Sequence, residues 1–260
     1  MPDFTLTIYT TLLTTLRAQN YSFQPLEELP FTSPGKIIVL RHDVDLKPDF
    51  ALQTARLENQ LGIRGTYYFR IVPGSNKPSL IREIAELGHE IGYHYEDLTL
   101  IKGNVDKAYE RFSANLEYFR QFYPVRTACM HGSPTSRWDS RDIWKKYDYR
   151  EPGIICEPYF DTDFKKVLYL TDTGRRWDGW KVNVRDKMPG MEINPYKELS
   201  LHATSDIITA ANSGTLPEKI MFNIHPQRWT NKPLPWIKEL LLQNTKNIIK
   251  RILVSLRAPL

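Results

Sequence analysis

Two carboxylates and a guanidinium crowd the end of a short apolar run, Ile37-Ile38-Val39-Leu40-Arg41-His42-Asp43-Val44-Asp45. Four consecutive apolar residues before the turn signal Leu46-Lys47-Pro48 predict a buried strand of a parallel sheet. Side chains alternate across a strand, so Arg41, Asp43 and Asp45 share one face while His42 and Val44 take the other. Charged groups are costly at the carboxyl end of a buried strand, and α/β folds keep their catalytic groups there. The plainer reading of the same spacing is that Asp45 caps the next helix and Asp43 pairs with Arg41.

Of six histidines, His42, His89, His94 and His131 fall in or beside predicted strands and His225 ends the last one. His94 and His131 each close a strand, which puts both on the rim that carries Asp43 and Asp45. His89 begins its strand at the opposite end and His42 faces away from Asp43, so both read as structural. One aspartate and two histidines on one rim make the donor set of a catalytic divalent cation, with a fourth position open. Imidazole with carboxylate suits zinc, with iron, cobalt and nickel as alternatives. A carboxylate outside that set is the natural general base.

The elements that must position these groups alternate. A helix over residues 4–17 carries Ile8, Tyr9, Leu12, Leu13 and Leu16 at helical spacing and is expected to pack outside the sheet or close one end of a barrel. Strands are predicted at 37–45, 65–70, 89–94, 126–131, 153–157, 167–170 and 219–224. Helices are predicted between Pro48 and Gly62, over 79–87, behind Asn104 with Ala108, Phe112, Leu116 and Phe119 inward, over 141–147, and over 205–211. The last helix, from Pro235 to about Arg257, bears Trp236, Leu240, Leu241, Ile248 and Ile252. Its apolar content reads as a stripe docked on the barrel, with a membrane surface as the alternative. About seven strand–helix units fit a closed or nearly closed α/β barrel, and the absence of repeats and linkers points to one domain over 1–260.

The 260 residues carry 35 basic against 30 acidic side chains. That mild excess suits an anionic small molecule or polymer, and no basic run interleaved with aromatics marks a nucleic-acid groove. No apolar run reaches transmembrane length. Cys129 and Cys156 form no C-x-x-C unit and read as buried free thiols, and residues 1–5 lack the basic start of a signal peptide; a cytoplasmic protein is expected. A serine nucleophile at Ser133 lacks its G-x-S-x-G elbow, and Pro73-Gly74-Ser75-Asn76 lacks the Lys of a P-loop.

The order strand-Asp-Asp, then Gly88-His89-Glu90-Ile91-Gly92-Tyr93-His94, then a late strand ending in His225, resembles the polysaccharide deacetylase (NodB-homology, carbohydrate esterase 4) superfamily over roughly residues 37–226. The resemblance implies a distorted (β/α)7-type barrel, here with an extra N-terminal helix, and a metal-dependent hydrolase that removes acetyl groups from N-acetylated sugars. By the same resemblance Asp43 is the general base, Asp45 and His94 are metal ligands, and His225 is the acid that protonates the leaving amine.

Two positions depart from that pattern. Leu98 stands where the family has a second metal-binding histidine, four residues after His94; His131 is the favoured substitute, with Asp97 and Glu96 in reserve. The stretch Met130-His131-Gly132-Ser133-Pro134 lacks the arginine that holds the base, and Arg41 is positioned to supply that charge. An Arg-His-Asp-Val-Asp opening of this kind resembles proteins of surface-polysaccharide biosynthesis. The expected substrate is an acetylated sugar, sugar nucleotide or oligosaccharide. Tyr93, Trp177, Trp180 and Trp229 are candidates to stack on it, and Asp172 and Arg175 to hold its hydroxyls or an anionic group; core packing and a solvated ion pair are the plainer readings. Specificity is assigned to the irregular region 171–203. Rival readings are a non-catalytic sugar-binding descendant and a hydrolase of another small amide.

Overall fold

The computed structural model describes residues 2–133, 136–178, 188–196 and 199–257. Helix α1 (Leu6–Ala18) starts at Thr5, whose hydroxyl accepts from the Ile8 amide, and buries Ile8, Tyr9, Leu12, Leu13 and Leu16. It lies outside the sheet against α7 (Thr204–Asn212). A short strand β1 (Ser22–Phe23) leads to β2 (Ile37–Val44), in which every residue is buried. Lys47 turns the chain at φ 53° and Pro48 opens α2 (Pro48–Gln60), where its fixed φ fits the first helical position.

Strand β3 (Thr66–Phe69), α3 (Pro78–Glu86) and β4 (Glu90–Tyr95) follow, then the single turn α4 (Asp97–Leu100). Asn104 caps α5 (Val105–Arg120) by accepting from the Lys107 amide at 3.0 Å, and Ala108, Phe112, Leu116 and Phe119 form its buried stripe. The remaining elements are β5 (Ala128–Met130), α6 (Pro158–Asp161), β6 (Leu168–Thr171), α7, β7 (Lys219–Ile224) and the terminal α8 (Pro233–Arg257). Every strand pairing is parallel, in the order β5-β4-β3-β2-β7-β6 with β1 alongside β2. The result is an α/β fold whose sheet curls into a distorted (β/α) half-barrel.

Three sequence expectations need correction. Residues 153–157 are not a strand: Gly153 sits at φ +83° in a turn, Pro152 and Pro158 bracket the segment, and one bridge, Thr127 to Cys156, is its share of the sheet. The seventh strand is instead β1, and among the described residues the sheet stays open between β5 and β6. The helix expected at 141–147 is a 3-10 segment, Ser140–Lys145. Finally, over residues 233–245, the part of α8 whose side chains are described, the apolar stripe is not buried; Ile248 and Ile252 lie outside that part. Leu234, Ile237, Leu241 and Leu242 are exposed while Glu239 and Gln243 are buried.

Candidate active site

Strand parity builds the inner wall. Parallel partners share a face, so the pairings Arg41 with Asn223 and Asp43 with Tyr68, followed by Tyr68 with Gly92 and His94 with Cys129, set one continuous inward row. Asp45, His131 and His225 extend β2, β5 and β7 by one residue each on the same rim. Gly92 is required there: a Cβ on it would lie 2.2 Å from the Tyr68 ring, whose hydroxyl donates to Thr127 at 2.9 Å.

Arg41 and Asp43 are both buried and doubly bonded, Nε to Oδ1 at 2.9 Å and Nη2 to Oδ2 at 2.6 Å. Burial alone would raise the Asp43 pKa; the Arg41 guanidinium, then His94, outweigh it and hold the carboxyl well below the usual range. Asp43 is therefore an ionised acceptor at neutral pH. Its Oδ2 lies 3.7 Å from His94 Nε2.

Asp45 does not cap α2, which begins at Lys47 without a side-chain cap. Its Oδ1 is buried without a hydrogen-bond partner, 3.7 Å from His94 Nε2 and 3.5 Å from His131 Nε2. Asp45, His94 and His131 each offer a donor atom, all within 4.8 Å of one another. The three rim imidazoles share one device. His94 Nδ1 donates to the Cys129 carbonyl (2.8 Å), His131 Nδ1 to Glu96 Oε2 (3.1 Å) and His225 Nδ1 to Asp172 Oδ1 (2.6 Å), so each turns Nε2 toward the rim. Burial lowers the His94 pKa to about 4, with His131 adding to it against the pull of Asp43, so the ring is neutral. An orphaned carboxylate oxygen facing two such Nε2 atoms fits a divalent cation in donor type and in outer hydrogen bonding.

His225 Nε2 lies 3.8 Å from Asp45 Oδ2. Behind it, Asp172 is fully buried and also accepts from the His225 amide (2.9 Å), Trp229 Nε1 (2.8 Å) and Arg228 Nη1.

Several candidates lie elsewhere. Tyr93 faces outward, opposite in parity to His94; its ring packs on Phe112 and Phe119 and its hydroxyl donates to Asp97. Trp177 is buried against Phe4, Phe222 and Trp229, with Nε1 bonded to Thr204. Trp229 braces Asp172 rather than offering a stacking face. Asp172 is spent on His225 and Arg228, and Arg175 lies over the rings of Phe4 and Trp236, so neither presents itself to a sugar. Trp180 lies outside the described residues. Asp97 is committed to Tyr93, Asn115 and Arg111, and Leu98 is buried with Ala108 and Ile143.

Glu96 holds His131 and is itself held by Arg70, Nη2 to Oε1 at 2.6 Å. Sequence reasoning weighed Glu96 only as a ligand and passed over Arg70 and Arg228. The position of Glu96 just after His94 was the available signal. His42 and His89 are structural: both flank Glu58, which also accepts from Tyr9 and Tyr67 beneath α2.

No protein-family model matches the chain, and no curated protein does. Among solved structures it is similar to a CE4 family pseudoenzyme from Bacillus anthracis, at 10% identity and TM-score 0.45, covering 82% of this chain and 62% of that one. It thus spans less than two thirds of that protein's length. A family 4 carbohydrate esterase from Bacillus anthracis aligns at 12% identity and TM-score 0.43, over 90% of this chain and 83% of that one. One from Streptomyces lividans, in complex with acetate, aligns at 14% and 0.42, over 82% and 89%.

Proposed function

We propose that this protein is a metal-dependent hydrolase that removes an N-acetyl or similar acyl group from a sugar, with surface-polysaccharide precursors as the substrate class. The observation that carries the reading is the meeting of Asp45 Oδ1, His94 Nε2 and His131 Nε2 beside a carboxylate kept ionised by Arg41. Asp45, His94 and His131 would hold the cation. When bound, zinc or a similar ion supplies Lewis acidity and an acidified water. Asp43 takes the proton of the attacking water, a role for which its ionised state beside Arg41 and its fixed position leave it available. Asp172 holds Nδ1–H of His225, which leaves Nε2 facing the scissile amide; in the imidazolium form that Nε2–H passes its proton to the departing nitrogen. The amide and one water become a free amine and a carboxylate.

The test is acetate release from N-acetylated amino sugars and sugar nucleotides by zinc-loaded protein. Release that vanishes in Asp43→Asn supports the reading. No release from any acetylated sugar, with calorimetric heat on binding, would leave a sugar-binding protein instead.

A further inference from the structure

Over residues 233–245, helix α8 is turned inside out. Its polar pair Glu239 and Gln243, one turn apart and bonded Nε2 to Oε1 at 2.8 Å, is the buried one. Trp236 anchors the same side, its Nε1 donating to the Asp3 carbonyl at 2.8 Å under the Arg175 guanidinium. Leu234, Ile237, Leu241 and Leu242 face solvent, at 79%, 47%, 61% and 45% exposure. Positions three, four and seven apart lie along one stripe of a helix, so these side chains form a patch rather than scattered exceptions.

The charge of the helix says what would cover it. Between Pro233 and Arg257 the sequence has Lys238, Lys246, Lys250, Arg251 and Arg257 against one acid, Glu239, which is turned inward. A second copy of the chain would bring like charges together. An anionic surface is complementary. Lys238 is exposed beside the apolar stripe, where its long stem can lie along apolar surface with the ammonium at the polar boundary.

We propose that the outer face of α8 docks on an anionic lipid bilayer, lying in its plane with Leu234, Ile237, Leu241 and Leu242 in the headgroup–acyl boundary. This surface stands independently of the reaction assigned above.

Flotation of the full chain with vesicles tests it. Vesicles of phosphatidylcholine with about a third phosphatidylglycerol should carry the protein upward, and phosphatidylcholine alone should not. Combining Leu234→Gln, Ile237→Gln and Leu241→Gln should lower vesicle affinity by about tenfold or more, since buried apolar area sets the binding strength. Lys238→Glu, which leaves the apolar stripe intact, should lower it by at least about fivefold, as should raised salt on the unaltered protein. Should the triple variant fail to fold, Lys238→Glu and the salt series decide. Failure to bind anionic vesicles, equal binding to neutral ones, or a sedimentation-detected dimer that the triple variant abolishes would overturn the proposal.

Discussion

Arg41 grips Asp43 through two hydrogen bonds, 2.9 and 2.6 Å long, from two residues back on the same strand. Removing one partner of such a buried pair strands the other charge, so Arg41→Met should cost about 3–5 kcal/mol of stability by urea unfolding. Because the folded pKa of Asp43 is depressed, its contribution is fully present above the unfolded aspartate range near 3.9 and is lost as pH falls below it. That acid-side loss should shrink in Arg41→Met, read from unfolding midpoints at successive pH values.

Base and ligand should separate by variant. Asp43→Asn should abolish turnover while zinc content by elemental analysis stays at the wild-type level. Asp45→Ala should lose both, because Asp45 supplies the carboxylate among the three clustered donors.

Glu96 and Asp97 are neighbours with different duties. Glu96→Gln should weaken zinc about ten- to a hundredfold in chelator competition, since it releases the ring of His131. Asp97→Asn should leave zinc affinity unchanged, its carboxylate being turned to Tyr93 and Asn115. An equal effect of both substitutions would contradict this assignment.

Asp172→Asn should lower kcat by roughly 10²–10⁴ with KM little changed, because it disturbs the tautomer of His225 without reaching the rim.

Glu90 lies at the opposite end of the sheet, buried, accepting from Thr66 (2.7 Å), Thr127 and the Glu27 amide (3.0 Å). Burial, against these hydrogen bonds, raises its pKa to about 7. Here the folded state binds the proton more tightly than the unfolded one, so stability falls as pH rises from the ordinary glutamate range near 4.3 to about 7. Glu90→Gln should flatten that fall relative to wild type in thermal midpoints measured from pH 5 to 8.

The sheet was legible because β2 and β7 carry apolar runs that lead to polar residues at their carboxyl ends, and strand parity placed Arg41 and Asp43 together. The same parity turns Tyr93 away from the rim, so its place beside His94 in sequence does not make it a stacking face. Residues 153–157 misled because an apolar run has no period with which to tell a strand from a buried turn. The roles of Asp172, Trp229 and Arg228 were out of reach, since they arise from where β6 and β7 end relative to each other in space. Helix α8 is the sharper lesson: its apolar spacing was visible, but spacing does not say which face meets the body.

The three rim histidines differ in what secures them. His131 and His225 lean on carboxylates, Glu96 and Asp172, that a single codon change can delete, whereas His94 leans on the main-chain carbonyl of Cys129, which every residue type provides. Drift in sequence can therefore retune two of the imidazoles one at a time, but it can loosen the third only by unpairing β4 from β5. Directed evolution of this scaffold should find its adjustable settings at Glu96 and Asp172, and its fixed reference point at His94.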